Sequence, residues 1–417
     1  MNLREFATNV ARRFPKTVPL FLFVAVLSWC GVAAAAPDNF VKASGVNFTL
    51  AGKPFFITGV NNHYLTFGSR AEVDRVLDDA VAMGANVVRV ILQPVIGSLD
   101  GSVPTIWDWN SRADSSDLGV HGNYLIYWDS ATGKMAIHDG PHGMQRVDYL
   151  VAAAKQRHLK LLIAFLDFWS YTGGAQQMRA WYGSSNKNTF FFSDSRTKRD
   201  YKDWVHYVVN RRNVYTGLRY KDDPTIMGWD LMNEPNGEPA GLLRQWTAEM
   251  SAYVKSQDPN HLVSSGLANV NQRLSDLTIP SIDFGTWHGY PLYYELTVDQ
   301  FNRLIGDFCG IAAADGKPVL LEEFGYARSN PDQVAAYAKW LNTMREDRDC
   351  AGWVVWRLVA RQDNGKYPKD EHDQFDIHND GSPIWKLLKT ATAEAAATRD
   401  AAGPPPNPTT KRAGRRR

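Results

Sequence analysis

Two glutamates stand where a folded chain can set them face to face. The apolar run 225–232 breaks into Asn233-Glu234-Pro235, and the run 318–321 breaks into Glu322-Glu323-Phe324-Gly325. Short apolar runs bounded in this way read as buried strands of a parallel sheet. A carboxylate just past the C-terminal end of such a strand is where a parallel α/β barrel places its reactive groups. Two carboxyl groups on one rim, one protonated and one ionised, suit cleavage of a glycosidic bond.

Other strand ends supply fitting partners. Arg89 lies near the end of the β-branched run 86–91, His288 and Tyr290 follow the run 282–287, and Trp356 ends the run 352–356. The run 160–166 leads into Asp167-Phe168-Trp169. Arg89 can keep a neighbouring carboxylate ionised. His288 and Tyr290 can orient a carboxylate or meet sugar hydroxyls, and Trp356 and Trp169 offer flat apolar faces. Taken singly, each has a plainer reading: a solvated loop glutamate, a structural ion pair, a satisfied buried histidine, a core aromatic. The shared rim is what favours the chemical reading.

The elements that would hold this rim alternate along the chain. The segment 39–58 reads as a short hairpin with its turn at Ala51-Gly52-Lys53, its second arm 55–58 passing into Gly59-Val60-Asn61-Asn62-His63-Tyr64. Helical spacing of Val73, Val76, Leu77, Ala80 and Val81 predicts a helix over 70–83, capped by Gly84. Further helices are expected over 143–157, 195–212, 242–257, 298–314, 331–345 and 384–395, between strands at 160–166, 225–232, 261–265, 282–287, 318–321 and 352–356. Eight strands in βα alternation imply a (β/α)₈ TIM barrel of class α/β, with an N-terminal β-hairpin. The stretch 94–141 is a long loop insertion after the second strand, with a small hairpin at 124–128 and 134–137; its length points to a functional loop.

Composition sets limits. The 417 residues are 44% hydrophobic and 22% charged, enough for a large core, and the net charge of +2 gives no nucleic-acid footprint over the body. Arg4, Arg12, Arg13 and Lys16, the apolar run 18–32 and Ala33–Ala36 have the layout of a secretory signal peptide, so 1–36 is read as cleaved. That leaves 37–398 as the catalytic domain and 399–417 as a disordered basic, Pro-rich tail. A secreted or periplasmic location follows, with no membrane attachment after cleavage, and a monomer is expected. Cys309 and Cys350 then remain as an even pair, either one disulfide or two buried thiols. The segment 370–380, DEHDQFDIHND, matches no EF-hand or zinc spacing and reads as a polar rim loop; no metal and no cofactor are expected.

These residues resemble glycoside hydrolase family 5, a family of retaining (β/α)₈ enzymes. Asn233-Glu234-Pro235 looks like its acid/base motif, and Glu323 in Glu-Phe-Gly like its nucleophile, with Glu322 turned the other way. Arg89, Asn233, His288, Tyr290 and Trp356 match other family site positions, and the resemblance implies that the Asn233 amide meets the sugar 2-hydroxyl. Within the family the chain is most similar to endo-β-1,4-mannanases, over 211–234 (RRNVYTGLRYKDDPTIMGWDLMNE), 59–65 (GVNNHYL), Gly173-Gly174 with Trp181, and 283–291 (DFGTWHGYP). It departs from them at Asp230, Asn236, Arg357 and the end of the third strand. The resemblance implies a retaining endo-acting hydrolase of β-1,4-mannosidic bonds in polysaccharide or oligosaccharide. An endo-β-1,4-glucanase or other β-glycan hydrolase, and a non-catalytic glycan-binding barrel, stay open as alternatives.

Overall fold

A computed structural model of the chain describes residues 39–106, 122–268, 270, 274–370 and 373–402. The proposed signal, residues 403–417 of the proposed tail and the centre of the long insertion lie outside the described residues; residues 399–402, read from the sequence as the start of the tail, instead end a helix. Eight strands form one parallel sheet: β4 (Ile57–Asn61), β5 (Val87–Ile91), β9 (Lys160–Ala164), β10 (Ile226–Asp230), β11 (Leu262–Ser264), β12 (Gly285–Gly289), β13 (Val319–Phe324) and β14 (Gly352–Val355). Their order is β11-β10-β9-β5-β4-β14-β13-β12. The two end strands are joined by Asp283, whose N–H donates to the Val263 carbonyl and whose carboxylate accepts from the Val263 N–H, each at 2.8 Å. The sheet thus curls into the (β/α)₈ barrel that the alternation predicts.

The expected N-terminal hairpin is present, turning at Ala51-Gly52, and carries one further strand. β1 (Val41–Ser44), β2 (Asn47–Leu50) and β3 (Lys53–Pro54) form their own antiparallel sheet, and the chain then leaves it to begin the barrel at Ile57. The Phe55 N–H adds one more bond to this small sheet, to the Phe48 carbonyl at 2.9 Å, before the chain turns into the barrel. The small sheet covers the end of the barrel away from the glutamates. Val41 and Phe48 join Ile57, Val87, Leu162, Met227, Leu262, Phe284, Leu320 and Val354 in an apolar plug. Phe48 meets Phe284 edge to face at 5.4 Å. One end of the barrel is therefore dry and packed, and the other is left for polar groups.

The outer layer is built from α1 (Arg70–Met83), α2 (Met144–Gln156), α3 (Gly174–Ala180), α4 (Phe190–Ser193), α5 (Ser195–Asn210), α6 (Ala240–Gln257), α7 (Val298–Asp315), α8 (Gln333–Glu346) and α9 (Pro383–Ala402). α1 starts with a capping box, Ser69 with Glu72, and stops at Gly84, whose φ of 87° suits glycine. Between β11 and β12 the described residues contain only a 3₁₀ turn, Ser275–Thr278, in place of a full helix. In the insertion, β6 (Val95–Ser98) pairs with β7 (Ile126–Asp129), which forms the expected hairpin with β8 (Lys134–Ile137).

Cys309 and Cys350 are joined as a disulfide, which ties α7 to the start of β14 across a sequence separation of 41. Closing a loop of that length contributes about 4 kcal/mol in the chain-entropy treatment. Reducing the bond, or replacing both cysteines by serine, is expected to lower Tm by several degrees in calorimetry while leaving activity at 25 °C intact. An unchanged Tm after complete reduction contradicts this.

Candidate active site

Glu234 sits one turn of chain past β10, and its backbone is unusual. Its φ is +49°, a left-handed conformation that a glutamate rarely adopts and that is held only where the surroundings enforce it. Its N–H donates to the Gly266 carbonyl at 2.8 Å, and Pro235 follows. Gly266 is required there: a Cβ would lie 2.0 Å from the Met232 carbonyl oxygen. So fixed, the carboxylate accepts from Trp169 Nε1 at 2.7 Å and meets His288 Nδ1 at 2.6 Å.

Glu323 comes from β13. Its Oε1 accepts from Arg89 at 2.6 Å and its Oε2 from the Tyr290 hydroxyl at 2.7 Å. An oxygen of Glu323 and an oxygen of Glu234 lie within 4.8 Å of one another, with His288 beside both. Glu322 corrects a sequence expectation. Simple alternation turns it away from the site, yet its Oε2 lies 3.0 Å from His288 Nε2 and 3.2 Å from Arg89. The cause is a bulge: Trp287 pairs with Leu321 but His288 pairs with Glu323, so Glu322 is the extra residue and both glutamates reach inward.

Arg89, fully buried, is the hub. Besides Glu323 and Glu322 it donates to Asp230 at 2.9 Å, Asn233 at 3.1 Å and Asn61 at 3.2 Å. The Asn233 amide is fixed at its other end by Asp167, at 3.0 Å. These contacts come from β4, β5, β10 and β13 together with the loops after β9 and β10. Only a barrel brings them to one point.

The electrostatics are uneven. For His288, burial opposes the charge, but Glu323, Glu234 and Glu322 outweigh it and lift the imidazole to about 10. For Glu234, burial works upward, but the bond to and charge of His288, with Trp169 and Arg89, bring the carboxyl below its usual range. The proton of this pair therefore resides on the imidazole. Burial pushes Glu322 up to about 7, with Arg89 opposing and Asp230 adding. Burial also lifts Asp167 to about 7. Burial, then Glu323, holds the Tyr290 phenol protonated.

Above these groups opens a cleft of about 380 Å³, within the range of small-molecule sites. Trp169, Asn233, Glu234, Tyr290, Glu323 and Trp356 line it. Arg89 and His288 lie buried behind its wall. All eight residues singled out from the sequence are thus brought together. Sequence reasoning missed Asp167, Tyr293, Tyr294, Gln93 and Phe375 in the same wall, and Glu322 behind it. Asp167 had a signal, as a carboxylate at a strand end. Phe375, stacked on Tyr290 at 5.3 Å, lies in the segment read as a polar rim loop. There Asp376 pairs with Arg357 at 2.6 Å.

Residues 142–351 match the family model described as glycoside hydrolase family 5 β-mannosidase-like. A protein of Oryza sativa subsp. japonica, assigned by name to the mannan endo-1,4-β-mannosidases, is 31% identical over 391 residues, covering 82% of this chain and 87% of its own. The endo-1,4-β-mannanase of Rhizomucor miehei superposes with a TM-score of 0.73 at 28% identity, over 86% of this chain and 99% of that one. The endo-β-1,4-mannanase of Thermotoga petrophila gives 0.71 at 30% identity, over 82% and 77%. A barrel whose polar end gathers two facing carboxylates, matched at this level to a single family over most of its length, belongs to glycoside hydrolase family 5, and the chain is a glycoside hydrolase.

Proposed function

We propose that this enzyme is a retaining endo-acting hydrolase of β-1,4-mannosidic bonds, with Glu234 as acid/base and Glu323 as nucleophile. The observation that carries the mechanism is the spacing of the pair. Oxygens within 4.8 Å lie nearer the roughly 5–5.5 Å carboxyl separation of retaining enzymes than the roughly 6.5–9.5 Å of inverting ones. Glu234 passes the proton it shares with His288 to the glycosidic oxygen as Glu323 attacks the anomeric carbon. The freed Glu234 carboxylate then takes a proton from water, which attacks the glycosyl ester and releases Glu323. Tyr290 and Arg89 hold the two Glu323 oxygens, which fixes the line of attack. Trp356 and Trp169 present apolar faces to sugar rings in the cleft.

The mannan reading is supported by the similarity to a rice protein named as a mannan endo-1,4-β-mannosidase and to the Rhizomucor miehei endo-1,4-β-mannanase, each matched over most of its length. Export behind a cleaved signal at 1–36, with a basic tail from 399 and a monomeric state, completes the proposal. No helix of the described residues is long and apolar enough to cross a membrane. Release of reducing sugar from galactomannan, glucomannan and carboxymethylcellulose, measured side by side, tests the substrate. Activity is expected on the first two and at least about 100-fold less on the third, whose 2-hydroxyls have the opposite configuration and miss contacts fitted to mannose. Comparable rates on carboxymethylcellulose would turn the assignment to a glucanase.

A further inference from the structure

His288 is flanked on both ring nitrogens by carboxylates. Nδ1 lies 2.6 Å from Glu234, and Nε2 lies 3.0 Å from Glu322. Glu322 is fully buried and is not a wall residue of the cleft, so it cannot touch a sugar. Its Oε1 has no hydrogen-bond partner among the described residues. A buried carboxylate left half satisfied is costly and needs a reason. Arg89 answers only Oε2, at 3.2 Å, and is shared with Asp230 and Glu323, so it does not account for Oε1.

We infer that Glu322 is a positioning residue for the reaction: it accepts the Nε2 proton of His288, so that the Nδ1 proton is the one shared with Glu234 and supplied to the departing oxygen. This rests on the acid/base reading of Glu234. The balance is simple. As the glycosidic bond breaks, the Nδ1–H bond breaks and an O–H bond forms on Glu234, while Glu234 hands its proton to the leaving oxygen. When water attacks the glycosyl ester, its proton passes to Glu234 and returns to Nδ1. His288 cycles between imidazolium and neutral ring, and Glu322 keeps the Nε2–H tautomer throughout. A carboxylate that fixes the far nitrogen of a catalytic imidazole is the usual partner of such a ring.

The groups that face this relay are Glu323 beside Nδ1, at 3.6 Å, Arg89 and Asp230 around Glu322, and Trp169 and Asp167 near Glu234. Replacing Glu322 by glutamine removes one anion from beside the imidazolium. The ring then loses its proton at lower pH, so the alkaline limb of kcat/KM moves down.

The test compares Glu322→Gln with the parent enzyme on two substrates. One is a mannan oligosaccharide, whose leaving alcohol needs a proton. The other is a 2,4-dinitrophenyl β-mannoside of matched length, whose phenolate leaves unaided. The expected result is a loss on the order of 100-fold on the oligosaccharide, the low end of what proton transfer contributes. Less than about 5-fold is expected in kcat/KM on the dinitrophenyl substrate, since that ratio reports only the step that forms the glycosyl-enzyme, with an alkaline limb about one pH unit lower. Equal losses on both substrates, or an unmoved limb, would overturn the inference. Glu234→Gln run in parallel separates the two levels: if it lacks the same leaving-group dependence, the acid/base reading itself fails. Should Glu322→Gln not fold, nitrogen-15 spectra of the parent enzyme still decide. They are expected to show a proton on Nε2 of His288 at every pH where the enzyme is active, and a bare Nε2 overturns the proposal.

Discussion

Glu323→Ala is expected to reduce kcat on mannan by on the order of 10⁴-fold or more, the scale on which hydrolases lose rate when a nucleophile is removed. The fold should survive, because Arg89 keeps Asp230 and Glu322 as buried partners when the Glu323 carboxylate is gone. Loss of activity alone would not distinguish a nucleophile from an essential orienting group. Azide does. In the space left by the truncated side chain, azide can attack the anomeric carbon once, with Glu234 still present as acid. A single displacement on a β-linked sugar yields the α-glycosyl azide. In Glu234→Ala the nucleophile is intact, so azide instead captures the glycosyl-enzyme and yields the β-glycosyl azide. Substrate in this second experiment needs an activated leaving group, since the acid is missing. Opposite anomers from the two variants are the expected result, read by NMR of the products. The same anomer from both, or Glu323→Ala activity within 10-fold of the parent, would sink the assignment of roles.

The two glutamates were legible because each ends a short apolar run bounded like a buried strand, and the other strand ends put polar partners on the same rim. The barrel was legible for the same reason, repeated around the sheet. What local pattern could not reveal is the bulge at Glu322. A one-residue irregularity in pairing leaves the sequence of β13 unchanged and inverts the direction of a side chain. The N-terminal hairpin is present with its turn at Ala51-Gly52, and only the extent of its second arm was hidden: Ile57 and Thr58 look like more of that arm, and tertiary pairing shows that Ile57 belongs beside Gly352. The state of Cys309 and Cys350 depends on a distance between α7 and β14 that no spacing encodes. Phe375 was hidden in an acidic stretch, of which Asp376 binds Arg357 and Asp370 accepts from the Gln374 and Asp376 N–H groups.

Arg89→Met is expected to destabilise the protein by roughly 3–5 kcal/mol, the cost of leaving buried charge without its partner. The side chain it replaces is fully buried and touches Asp230, Glu322 and Glu323 at 2.9, 3.2 and 2.6 Å. Methionine fills much of the volume, so a cavity is not the main loss; the uncompensated carboxylates are. That reasoning makes a second variant informative. Arg89→Met with Asp230→Asn removes one stranded anion, while the amide oxygen still accepts the Ser264 hydroxyl. The double variant should recover about 1–3 kcal/mol of the loss, the size of coupling seen between contacting groups. Urea midpoints of the four proteins in the cycle measure it. If the losses simply add, the arginine acts by packing and not by charge. Arg89→Lys completes the comparison: one ammonium carries a charge but cannot span five acceptors held by a planar fork. It should regain much of the stability and little of the activity, because Glu323 and Asn233 would no longer be held at fixed positions along the line of attack.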